Sequence, residues 1–340
     1  MVTTKDCNRW RWTLLVVGFV LLALANLYLG AVGIPASAVT DILLGRAVDQ
    51  ESWRFIILEH RLPQMVTAVF SGSGLALAGL MLQTAFRNPL AGPSILGIDS
   101  GANLGVALVM LLLGGTVSAG FMTLGGYVLV VVAALAGAWA VITLLVSLSK
   151  VLHSPVMLLI AGVMLSYLTS SVISLLNYSA TDVGIRSYMV WGMGSFAGVT
   201  IERLGFFVLA MTAGIVLSLA LAKPLNALLL GEDYARNLGF DIKHVCTLLL
   251  LATGMLTATS TAFCGPIAFV GLAVPHLARL LFRSSNHRLL LPATMLLGAI
   301  LTLSCNLLST LPAEGIIPIN VLTPLFGAPV VLWVILRKNN

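Results

Sequence analysis

Charge is what this sequence has least of. Only 9% of its 340 residues are Asp, Glu, Lys or Arg, where a water-soluble domain carries roughly 25%. Hydrophobic residues make up 59%, and the mean hydropathy is +1.04. One water-facing core could not hide that much apolar surface. Cysteine is scarce too. Cys7, Cys246, Cys264 and Cys305 stand far apart, with no metal-ligand spacing among them. That excludes a zinc or disulfide framework, and each thiol is read as a small apolar residue.

Catalytic signatures are also missing. No Gly-x-x-x-x-Gly-Lys-Ser/Thr loop, His-Glu-x-x-His, Gly-x-Ser-x-Gly or Cys-x-x-Cys occurs, so no enzyme of those classes is expected and ATP is not hydrolysed by such a device. His60, His153, His244, His276 and His287 occur singly, and all but His276 fall at span ends, as interface residues do. Within the apolar runs charge is limited to Asp99, near the start of the third, and Arg279, near the end of the eighth. Proton-coupled transporters use intramembrane carboxylates or histidines as relays. Their scarcity places the energy source on a partner, with an ion-gradient-driven secondary transporter of a small solute as the alternative.

What is present is a series of apolar runs long enough to cross a bilayer, each about 20 residues. They lie near 13–30, 62–85, 94–114, 121–148, 155–176, 204–222, 245–264, 266–282, 289–308 and 319–336. The fold class expected is therefore an all-α membrane protein of about ten spans, a single permease domain over 1–340, with membrane lipid around it. The first run is too long for a cleavable signal. With ten spans and the N terminus inside, thirteen Lys and Arg fall on the inner side and five on the outer. The positive-inside rule puts both termini in the cytoplasm. The net charge of +6 is thus read as topology, not as a nucleic-acid surface.

Three stretches between spans carry local signals. Segment 31–60 is outer, with Pro35 as a helix starter. Segment 177–203 is outer, and Gly192, Gly194 and Gly198 predict broken helix. Loop 223–244 is inner and reads as two short helices hinged at Gly231. Glu232 and Asp233 open the second, where the helix dipole favours acids, and Gly239 ends it. Ala235 and Leu238 are expected on one apolar face. Gly92-Pro93 before the third span and Gly265-Pro266 before the eighth open from opposite sides, as an inverted repeat would.

Arg87-Asn88-Pro89-Leu90-Ala91-Gly92-Pro93-Ser94-Ile95-Leu96-Gly97 resembles the Asn-Pro-Leu-Ala-x-Pro-x-x-Leu-Gly signature of the iron-chelate and vitamin B12 permeases of ABC importers, the FecCD/BtuC-like family. Similar stretches follow over essentially 1–340: His60 to Pro63, Trp191 to Phe196, Gly231 to Gly239, Gly265 to Leu272 with Gly271, Pro275-His276, and Gly327 to Pro329.

The resemblance implies a type II importer subunit in the bacterial inner membrane, moving a ferric siderophore, haem or a corrinoid such as vitamin B12 inward. It implies a homodimer with a central path, two ATP-binding subunits below and a periplasmic binding protein above. ATP and Mg would sit on the partner ATPase, with no cofactor or metal on this chain. It also assigns residues. Leu228, Gly231, Glu232, Asp233, Ala235, Arg236, Leu238 and Gly239 would couple to the ATPase. Arg61 matches a binding-protein contact, with Arg54 beside it, whereas Gln64 and Ser309 stand where relatives carry arginine. Ser154, Pro155 and Val156 would form the cytoplasmic gate, Pro155 departing from the small hydroxyl residues of some relatives.

Overall fold

The computed structural model describes residues 4–48, 50–112, 124–152, 154–311 and 317–338, and all regular structure among them is helical. Seven helices are long and apolar enough to cross a membrane, and three shorter apolar ones accompany them. The long set begins with α1 (Thr4–Tyr28). After it, Pro35 caps α2 (Ala36–Leu43), as its fixed φ suits a helix start.

Next, α3 (Glu51–Phe55) passes through a π turn at Ile56–Arg61 directly into α4 (Leu62–Ala85). The helix that carries the second span therefore begins at Glu51, ahead of the apolar run that opens at residue 62. At 35 residues it is about 50 Å long, more than a hydrocarbon core of about 30 Å needs. A short helix, α5 (Ile98–Ala107), ends in a second π turn, Leu108–Leu112. Two long helices follow, α6 (Leu124–Val151) and α7 (Pro155–Ser179).

The expected broken segment is α8 (Asp182–Gly192), a turn at Gly194 with φ +73, and a single 3-10 turn at Phe196–Gly198. Then come α9 (Ile201–Ala220), the short inner helices α10 (Ala222–Leu230) and α11 (Glu232–Asn237), and α12 (Ile242–Cys264). The chain finishes with α13 (Val270–Phe282), α14 (His287–Thr310) and α15 (Ile319–Lys338).

Helix α4 is the axle of the bundle, packed by α9, α12, α13 and α14. Small residues make this possible. A Cβ on Gly79 would overlap the Gly271 carbonyl of α13, and one on Gly271 would come within 2.8 Å of the Leu75 oxygen. Between membrane helices close backbone approach and interhelical hydrogen bonds supply the attraction, because lipid removes the hydrophobic difference. Thr302 of α14 donates to the Ala68 carbonyl at 2.7 Å, and Ser73 donates to Met295 at 3.1 Å. The outlying α1 is tied in by Asn26, which donates to Leu303 O at 3.1 Å and accepts from Asn306 at 2.8 Å. On the other side, α5 packs against α6 and α7.

Candidate functional site

The inner loop folds as its residues dictate. Gly231 has φ +126, a backbone that residues with a Cβ rarely adopt, and it turns α10 sharply into α11. Ala235 is fully buried against a small cluster with Ala227, Leu228, Ile242 and Val245. Leu238 is 55% exposed, so it does not share Ala235's face. The helix ends at Asn237, one residue too early for a three-residue stripe to persist. The exposed side instead presents Leu230, Tyr234 and Leu238, which border a shallow groove with Lys223 and Arg288. Asp233, Arg236 and Gly239 are exposed and Glu232 is half-buried.

This helix pair is pinned to the spans. Asn226 of α10 accepts from the His287 backbone N–H at 2.8 Å, and its Oδ1 lies 3.0 Å from the His287 Nδ1. Asn226 Nδ2 donates to Asn286 Oδ1 at 2.9 Å. On the other edge of the ring, His287 Nε2 stands 2.8 Å from Thr84 Oγ1 near the end of α4. An amide oxygen only accepts, so Nδ1 carries the proton and Nε2 faces the Thr84 hydroxyl as an acceptor, with the Leu80 carbonyl at 2.9 Å competing for that hydroxyl's one proton. His287 is 1% exposed. It is a buried hub joining α10, α14 and α4, not the interface residue its place at a span end predicted. Arg87 adds a second strut, reaching the Leu228 carbonyl at 3.5 Å.

Farther in, the two Gly-Pro segments meet. Gly97 (φ +76) caps α5 and Phe269 (φ +66) caps α13, both left-handed, and both segments line one cavity of about 150 Å³. Asn88 Oδ1 accepts from Leu90 N at 2.9 Å, which shapes the first turn. His276, following Pro275 within α13, donates from Nε2 to the Pro89 carbonyl at 2.8 Å. Ala91 and Pro93 are buried, and the Pro93 ring lies 3.0 Å from the place a Cβ on Gly271 would take. Asp99 accepts from Ser94 and from Thr261, each at 2.7 Å, so this buried acid joins the first segment to the end of α12. In the second segment Gly265 has φ +74, and Asn320 of α15 donates to Pro266 O at 2.6 Å and to Gly192 O at 3.0 Å. Gly327 lies against Phe269. Stretches scattered from 88 to 327 thus converge on one irregular centre, and the α10–α11 pair is braced to α14 and α4.

The family model of the FecCD transport family matches residues 15–337. The chain belongs to that family.

Among FecCD relatives, the hemin transport system permease protein HmuU of Yersinia pestis is 34% identical over 327 residues, 96% of each chain. The vitamin B12 import system permease protein BtuC of Vibrio cholerae is 39% identical over 287 residues, 84% of each. A solved chain described as a metal-chelate type ABC transporter in an inward-facing conformation superposes with a TM-score of 0.83 at 31% identity, covering 98% of this chain and 100% of that one.

The outer side of this FecCD chain corrects one expectation. Arg61 is 7% exposed, and its guanidinium donates to the carbonyls of Leu27 at 2.9 Å, Tyr28 at 3.1 Å and Val32. It holds the end of α1 against the π turn, and its donors are turned to these carbonyls instead of outward. Three neighbouring carbonyls capture the cation because buried chain oxygens need donors. Arg54 remains exposed. Ser309 is buried and donates to the Ile317 carbonyl, and Gln64 is half-buried. At the inner end Ser154 is the N-cap of α7, Pro155 lies in its first turn, and Val156 is 57% exposed. Sequence reasoning missed His287, Asn226 and Thr84. The available signal was Asn286-His287 at the opening of a span, because Asn is a strong cap and a buried His needs a partner.

Proposed function

We propose that this chain is the membrane-spanning subunit of an ATP-driven importer that moves a bulky metal chelate or corrinoid, with ferric siderophore, haem and vitamin B12 as the candidates. One observation carries the reading: the hinged helix pair α10–α11 presents an exposed apolar edge while Asn226, His287 and Thr84 fasten it to the spans. A partner gripping that edge could drive α14 and α4 directly, and a lever of this kind turns closure of one domain into rocking of another. The partner proposed is a pair of ATP-binding subunits holding ATP and Mg. Two copies of this chain would form the path, in the bacterial inner membrane with both termini cytoplasmic, and a periplasmic binding protein would dock from outside using Arg54.

Helix α7 supports the paired arrangement. It exposes Tyr167, Leu168, Leu175 and Tyr178 together with Ser170, Ser171 and Ser174. Ser171 and Ser174 bond back to the Tyr167 and Ser170 carbonyls, and a path shared between two copies would use such a polar row.

The test is to co-express the chain with the ATPase and binding protein encoded beside it and to measure ATP hydrolysis in nanodiscs. The expected result is a stable complex whose turnover rises with one loaded binding protein. Gly231→Trp and Arg236→Glu should each lower that stimulation without unfolding the spans. Absence of any associated ATPase, with substrate uptake by the chain alone in vesicles, would sink the reading.

A further inference from the structure

We propose that the cleft between α11, the α6–α7 connection and the start of α12 binds an anionic phospholipid of the cytoplasmic leaflet. The cleft encloses about 120 Å³ and is amphipathic. Its floor is apolar, with Phe86, Leu158, Leu249 and Leu250 all buried. Its rim holds three cations, Lys150, Arg236 and Lys243, against the single carboxylate of Glu232. Among the described residues no carboxylate lies within 4.0 Å of Lys150, Arg236 or Lys243, so none neutralises these cations directly.

The same cleft is bordered by the opening of α7, where the Ser154 side chain makes no capping bond. The positive end of that helix adds to the field. Leu152 also lines the cleft, and the neighbouring Val151 is 70% exposed at the end of α6, so apolar surface continues from the cleft at that point.

Cations around an apolar floor, at the membrane end that carries the positive excess, fit an amphiphile with a phosphate head. Free phosphate would leave the floor wet, and a zwitterionic lipid brings its own cation to the rim. An ATPase surface fits less well. The exposed apolar edge of the coupling pair, Leu230, Tyr234 and Leu238, borders a different groove. A bound lipid would bridge the gate at Ser154 and the coupling helix at Arg236, so its occupancy would set how firmly the two move together. Binding stands on the cleft alone, and the effect on turnover rests on the coupling role proposed above.

The experiment compares wild type with a Lys150→Gln, Lys243→Gln double variant in nanodiscs of phosphatidylcholine alone or mixed with phosphatidylglycerol. Lipid retained by the complex is counted by native mass spectrometry, and folding is checked by thermal melting. The wild type should retain phosphatidylglycerol selectively. The variant should retain about thirtyfold less, the loss of two lysine–anion attractions, while melting normally. Where an ATPase is bound, phosphatidylglycerol should raise wild-type turnover, and inorganic phosphate added to phosphatidylcholine discs should not. Equal retention in both proteins, or equal stimulation by inorganic phosphate, would overturn the site. Loss of the ATPase from the variant would assign the lysines to protein docking and overturn it as well. If no ATPase associates with either protein, retention still decides the lipid site and only the transport reading fails.

Discussion

Helices α4 and α7 are both long and apolar, and by hydropathy α7 is the more convincing span, yet their surroundings are opposite. In the most apolar stretch of each, 78% of the α4 helix is buried and only 17% of α7. The difference lies in side-chain size. Between Ser71 and Gly79, α4 carries Gly, Ser and Ala at most positions, and its neighbours come to backbone contact. Helix α7 carries Met157, Ile160, Met164, Tyr167 and Leu168, all more than half exposed. Bulky residues hold neighbours off, and a helix covered with them serves a partner surface or the bilayer. Hydropathy locates a span, and residue size says what it touches.

The largest effect that could break this comparison is on α4. Gly79→Leu should drive α4 from α13 at a cost beyond about 3 kcal/mol and abolish recovery of monodisperse protein. Size-exclusion yield checks this, and a well-folded Gly79→Leu protein would undo the axle argument. Next comes the hub. His287→Ala removes the ring's bonds to Asn226 and Thr84 and empties a buried site, which should cost about 2 kcal/mol. Transport-coupled ATPase should fall in the surviving protein while basal hydrolysis persists. A matched loss of both would reduce the hub to a stability element.

Smaller effects separate the two arginines. Arg61→Ala should lower the melting temperature by roughly the worth of a charged hydrogen-bond cluster, about 2 kcal/mol, without altering capture of the binding protein. Arg54→Glu should leave melting unchanged and slow association, most clearly at low salt. Interchanged outcomes would return Arg61 to the docking surface. The smallest stability change belongs to α7, where Leu175→Ala should stay within about 0.5 kcal/mol. The companion variant Leu168→Cys, oxidised in membranes, should yield a linked dimer, and persistent monomer would give that face to lipid.

Much of the centre was legible early. Gly231 as hinge, Pro35 as helix starter and the broken helix around Gly194 each follow from a backbone preference that a single residue enforces. The Gly92-Pro93 and Gly265-Pro266 echo was legible as a pattern, and the structure adds that the two segments line a common cavity. Other readings needed neighbours far along the chain. Arg61 looked like an outward-facing charge until the carbonyls of Leu27, Tyr28 and Val32 closed around it. Leu238 looked like Ala235's partner until the helix stopped at Asn237. His287 looked like an interface residue until Asn226, 61 positions away, and Thr84, 203 away, supplied its bonds.

The sequence by itself determined the solvent, the helical class and the places where helices must break. Lipid admits only chains that satisfy their own backbone, and Gly and Pro act on their own φ. Tertiary structure decided which polar groups were spent inside the protein and which were left for partners. The reason is that an intramembrane donor or acceptor must find its mate wherever the fold brings one, and that distance in space is not written in distance along the chain.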